Sequence, residues 1–212
     1  MTEEEWRACD EPTRMWHVVR KAVSERKSRR FALACASRAA ACGNTIPDAV
    51  RELLELIDGI SDGTGVIPDE YYELARKVYE ITTNERQSKG IRALVKSGDR
   101  WLCSSTGVSD VIHDAAGAGE LADVEYQHQA DLLRCVVASP FRPVAFNPAW
   151  TTSTVVALAQ GMYAERDFSA MPILADALQD AGCDNDDILN HCRGAGPHVR
   201  GCWVVDGILG KS

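Results

Sequence analysis

The sequence predicts an all-α protein, and three observations predict it. Apolar residues recur every three to four positions through most of the chain, which gathers them on single helix faces. Proline and glycine punctuate those runs where helices start and stop. No stretch shows the alternation of apolar and polar residues that marks a half-buried strand. The expectation is a compact multi-helix bundle or array of about nine or ten short helices. It is read as a single domain over 1–212, with a candidate sub-boundary at the proline-rich connector 139–150.

Each element has its own signal. Thr2 followed by Glu3, Glu4 and Glu5 is a hydroxyl cap with acids in the first turn, where the helix dipole favours them. Cys9-Asp10-Glu11-Pro12 breaks that helix, and a second begins near Thr13 with Met15, Trp16, Val18 and Val19. The basic run Arg20 to Arg30 reads as a solvated helix face and turn, with an acidic-partner or phosphate patch as the sharper alternative. Phe31, Cys35, Ala39 and Cys42 share one face of a helix that Gly43 ends, and alanines around them suit close packing. Ile46, Val50, Leu53, Ile57 and Ile60 form the clearest stripe, with Pro47 in the first turn.

Ser61 to Gly65 reads as a loop, and Pro68-Asp69-Glu70 opens a helix with Tyr72, Ala75, Val78 and Tyr79 facing inward. Ile91, Leu94 and Val95 suggest a short helix ended at Ser97-Gly98. Trp101-Leu102-Cys103 suits a strand or a helix turn, whereas Val108, Val111, Ile112 and Ala115 read as helix. Tyr126, Ala130, Leu133 and Val137 belong to a helix that stops before Pro140. His113 and His128 lie on these helices without a cysteine or acid in ligand register and read as surface or hydrogen-bonded histidines. Three prolines in SPFRPVAFNP make an extended connector, which Phe141, Val144, Phe146 and Trp150 pack onto the body. Thr151 and Thr152 offer caps for a helix bearing Val155, Leu158, Ala159 and Met162, and Phe168 to Gly182 supplies another, closed by its glycine.

Composition excludes several function classes. A formal net charge of −8 repels polyanions, so neither nucleic acid nor an anionic membrane is an expected partner. No apolar run reaches the roughly 18 residues that a bilayer span needs. The opening MTEEEW carries acids where a secretory signal carries positive charge, and the expected compartment is the cytoplasm. Eight cysteines are too dilute for a disulfide scaffold, so they are expected as thiols, buried or bound to metal.

The two ends carry a resemblance. MTEEEWRACDEPTRM, SERKSRRFALACASR, FRPVAFNPAW, STVVALAQGMY, MPILADALQDAGC and above all NHCRGAGPHVRGCWVVDGILGK resemble a family of uncharacterised bacterial proteins expanded in planctomycetes. The C-terminal signature is HCRGxGPHVRGCWVVDxxLGK, and the likeness covers about half the chain. Members often carry adjacent cysteines where this chain has Cys35-Ala36. The resemblance implies a lineage and a compartment; it implies no activity, cofactor or catalytic residue.

Met171 to Lys211 is the stretch densest in chemical groups. Asp184 can cap a short helix from Asn185 to Cys192, and Pro197 is placed to open a final helix. On that helix His198 and Cys202 would stand four apart, on one face, as two ligands of one ion. Cys183 and either His191 or Cys192 would complete the thiolate–imidazole shell that zinc prefers. The bland alternative buries the cysteines beside Trp203, Val205 and Leu209 and satisfies the histidines with backbone or acids. A Cys192–His198 nucleophile pair lacks an orienting third group. Arg193, Gly194, Gly196 and Arg200 surround the expected helix start, where free amides attract anions, although glycines there also suit a tight turn.

Weighed together, the leading reading is a non-enzymatic helical interaction or regulatory module with another protein as partner. The alternative is a small zinc-binding or thiol-dependent protein that uses the C-terminal Cys/His cluster. An all-α enzyme with acids gathered from distant helices stays open, its catalytic residues unknown.

Overall fold

The computed structural model describes residues 1–40, 47–62, 66–81, 85–98, 107–118 and 122–211. Among these the chain forms twelve α-helices and no strand, the all-α class that its periodicity predicts. Cys42, Gly43, Ile46, residues 63–65 and residues 101–103 lie outside the described residues. No helix among the described residues is long and apolar enough to cross a membrane. The chain divides into two compact units, Glu3–Leu133 and Arg134–Ser212. The division falls in the last turn of α8 (Ala122–Val136), ahead of the proline-rich connector.

The first unit contains α1 (Glu3–Ala8), α2 (Pro12–Val19), α3 (Glu25–Ala40), α4 (Asp48–Asp62), α5 (Asp69–Glu80), α6 (Glu85–Gly98), α7 (Gly107–Ala118) and most of α8. Its organiser is α3, which lies against α4, α6 and α7. Phe31, Cys35 and Ala39 form its buried face, as their spacing predicts, and Val50, Leu53 and Ile57 do the same for α4. Small residues bring α6 onto α3 with no room to spare. A Cβ added at Gly90 would stand 2.6 Å from the Ala39 carbonyl oxygen. Gly90→Ala is therefore expected to destabilise by about 1–3 kcal/mol, because overpacking against backbone outweighs the roughly 1 kcal/mol that alanine gains in helix propensity. Urea unfolding checks this; an unchanged or raised midpoint would show that the two helices separate at little cost.

Two expectations about which side chains face inward or outward need correction. On α5 the buried positions are Tyr71, Ala75 and Val78, while Tyr72 and Tyr79 are exposed. Spacings of four and three put 71, 75 and 78 on one face, and Tyr71 is held there because its hydroxyl donates to the Val95 carbonyl on α6. The basic run is the second case. Arg30 is only 2% exposed, and its guanidinium pairs with both Asp58 and Asp62, one turn apart on α4. Arg26 joins them, 2.9 Å from Asp62. This part of the run is therefore an internal clamp between α3 and α4 rather than a solvated face.

The second unit holds the end of α8, a 3₁₀ turn over Pro148–Trp150, and α9 (Ser153–Glu165), α10 (Met171–Asp180), α11 (Asp186–Arg193) and α12 (Trp203–Leu209). Helix α9 packs on α10 and α12, and α11 packs on the same two. Thr152 caps α9 by accepting from Val155 N–H, and Asn185, one residue beyond the expected cap, does the same for α11 through Ile188 N–H. Val155, Ala159, Met171, Leu174, Leu178, Ile188, Val204 and Val205 form the core. Phe141 is exposed, but Val144, Phe146 and Trp150 pack against this core. Phe146 sits so close to α12 that a Cβ on Gly207 would lie 2.2 Å from its ring. With Arg142 also paired to Asp187 at 3.1 Å, the connector is bound to the C-terminal unit.

Candidate metal centre

The second unit gathers its chemistry where three segments meet. The end of α8 supplies Cys135, α11 supplies His191, and the loop between α11 and α12 supplies His198 and Cys202. One ligand atom from each lies within 4.8 Å of the other three. His191 Nε2 is 3.2 Å from Cys202 Sγ, and the two imidazole rings meet edge to face at 4.9 Å. Cys135 and Cys202 are buried, while both histidines are half-buried. Trp203 lies against His191, with ring centroids 5.2 Å apart.

The final helix begins at Trp203, not at Pro197. Gly201 has φ +95°, which a helix cannot contain, and Cys202, with non-helical backbone, is the capping residue. His198 and Cys202 are therefore brought together by a folded loop instead of a helix face. Arg200 ties that loop down. Its guanidinium donates to the Tyr163 carbonyl at 2.6 Å and to the Ala164 carbonyl at 3.2 Å, closing the free end of α9. It also lies over the Tyr163 ring.

His198 shows which of its nitrogens is available. Its Nε2 lies 3.2 Å from the Gly194 carbonyl oxygen, and only a protonated Nε2 can donate to that acceptor. The other nitrogen, Nδ1, is buried without a hydrogen-bond partner. A backbone carbonyl that fixes the tautomer and presents the opposite nitrogen is the usual second shell of a metal-ligating histidine. Electrostatics agree with the geometry. Burial alone would raise the Cys202 thiol, yet the neighbouring Cys135, His191 and His198 outweigh it and hold Cys202 well below the usual thiol range. Burial likewise disfavours a charged His198, but the adjacent Cys202 sulfur and the Gly194 carbonyl raise its pKa above the ordinary imidazole value. Two sulfurs and two imidazole nitrogens at these separations could hold a metal ion.

Of the five residues the sequence singles out as candidate ligands, the fold brings together His191, His198 and Cys202. Cys183 and Cys192 stand outside this group, in the apolar core. Burial pushes the Cys183 thiol up. Burial, with the neighbouring Cys202 and Cys183, pushes the Cys192 thiol far above the range in which thiolates form. The fourth member, Cys135, stands more than fifty residues before His191 in the sequence, and only its place in the fold reveals it.

The expected anion-binding residues have other partners. Arg193 donates to Gln179 at 2.6 Å and to Asp176 at 3.2 Å. Arg200 is engaged on α9, and Gly194 caps α11. Gly196 lies in the loop, and the helix start that would have presented free amides near it is displaced to Trp203. No family model, curated protein or solved structure matches the chain.

Proposed function

We propose that the C-terminal unit is a zinc-binding module in which Cys135, His191, His198 and Cys202 hold one structural Zn²⁺. The observation that carries this reading is the convergence of four ligand atoms within 4.8 Å. Zinc–sulfur bonds of about 2.3 Å and zinc–nitrogen bonds of about 2.0–2.1 Å place tetrahedral ligands roughly 3.3–3.8 Å apart. The required contraction is therefore small, and His191 and Cys202 already stand at 3.2 Å. Two thiolates with two imidazoles suit zinc better than the oxygen-seeking cations. Four protein ligands leave no position for substrate, so the role is structural and the module non-enzymatic. The ion joins the end of α8, α11 and the loop before α12. A reducing cytoplasm, which keeps the thiols available, belongs to the same proposal, as does membership of the planctomycete-expanded family.

Elemental analysis of protein purified without a histidine tag tests it directly. About one zinc per chain, replaceable by Co²⁺ with the intense visible absorption of a tetrahedral thiolate site, is the expected result. Absence of both signals in reduced, folded protein that has been offered zinc would overturn the reading. The ligand atoms can be checked separately. In ¹⁵N spectra of the zinc-loaded protein, His198 is expected to bind through Nδ1 with Nε2 protonated, and His191 through Nε2. The opposite assignment for His198 would mean that its bond to Gly194 is not retained.

A further inference from the structure

We propose that Cys135 and Cys202 also form a hydroperoxide-responsive release device, in which their joining as a disulfide expels the metal; this rests on the zinc reading above. The two sulfurs belong to the same group of mutually close ligand atoms, all within 4.8 Å of one another. They are therefore placed to react with each other when either is oxidised. The remaining cysteines of the unit, Cys183 and Cys192, are buried in its core outside this group.

The chemistry balances with a hydroperoxide as the oxidant. One thiolate attacks a peroxide oxygen, the O–O bond breaks, and the sulfur becomes a sulfenic acid while the leaving oxygen takes a proton. The second thiolate attacks that sulfur, the S–S bond forms, and hydroxide leaves to be protonated as water. Two thiolates, one hydrogen peroxide and two protons thus give one disulfide and two waters. His191 and His198 alone remain as ligands, and two imidazoles hold a zinc ion too weakly to keep it.

Access sets the rate. Cys202 is fully buried and Cys135 nearly so, so the oxidant reaches sulfur when the segment from Gly194 to Cys202 opens. This segment has no helix of its own, and Arg200 fastens it to the end of α9. Arg200 is thus a positioning residue that slows the reaction without being a ligand.

The test starts from full-length protein shown by elemental analysis to carry zinc, so that failure of the zinc reading is seen before any oxidant is added. Hydrogen peroxide is then added in the presence of a chromogenic zinc chelator, and the disulfide is mapped by non-reducing peptide mass spectrometry. The expected result is release of about one zinc per chain in step with a Cys135–Cys202 disulfide, reversed by dithiothreitol plus zinc. Arg200→Ala is expected to release its zinc severalfold faster, and Cys192→Ala at the unchanged rate. Zinc retained while added peroxide is consumed by a free-thiol control would overturn the proposal. So would release accompanied by a disulfide to Cys192, or by sulfinic acid with no disulfide.

Discussion

Cys202→Ser is expected to cost the protein its zinc. Structural zinc in small modules is bound by about 10–16 kcal/mol, and dividing this over four ligands gives roughly 2.5–4 kcal/mol, on the order of a hundredfold in affinity, for each. Cys202 exceeds that average because the other three ligands converge on it: His191 stands 3.2 Å away and both Cys135 and His198 interact with its sulfur. A serine hydroxyl stays protonated at neutral pH and offers neither charge nor a soft donor. Competition with a chelator of known affinity measures the loss. Cys192→Ala provides the contrast, since that thiol lies in the core outside the tetrad; it is expected to lower stability and leave zinc stoichiometry at one. Equal zinc loss in both variants would mean that unit integrity, and not ligation, governs the metal content. Chelation of the wild-type protein should likewise lower the thermal midpoint, because an ion that binds only the folded state stabilises it by mass action.

Arg30→Met is expected to destabilise the first unit by about 3–5 kcal/mol, the usual cost of leaving a buried charge without its partner. Methionine fills much of the volume but removes the guanidinium that pairs with both Asp58 and Asp62. The partner variant distinguishes charge from packing. Combining Arg30→Met with Asp58→Asn should recover part of the loss, because it removes a stranded carboxylate along with its guanidinium. Chemical denaturation of the single and double variants gives the coupling directly. Additive losses would show that the clamp acts through packing and not through charge.

How far the sequence reveals this molecule depends on the range of the interactions that decide each feature. Val50, Leu53 and Ile57 are legible because a helix face is a local property, written every three or four residues. Tyr71 and Tyr72 were not separable that way: they are adjacent and chemically identical, and the choice between them rests on a carbonyl acceptor on α6, at Val95. Arg30 reads as solvated because a run of basic residues ordinarily forms a wet helix face, whereas its partners sit on the next helix. His191, His198 and Cys202 were visible as a dense local cluster. Cys135 was not, since a single cysteine in an apolar helical run reads as a small hydrophobe. Pro197 was a sound start signal by itself, but the turn at Gly201 displaced the final helix to Trp203.

The spacing of the tetrad bears on the order of events during folding. Cys135 stands more than fifty residues before His191, whereas the ligands of a small zinc finger lie close enough for the ion to nucleate its own fold. Here the entropy of closing so long a segment falls before the fourth ligand can contribute. The apolar contacts among α9, α10, α11 and α12 are therefore expected to assemble first and carry α8's end into place. On the zinc reading proposed above, the ion would meet a nearly finished scaffold, acting as a latch on the native state and not as the seed of its formation.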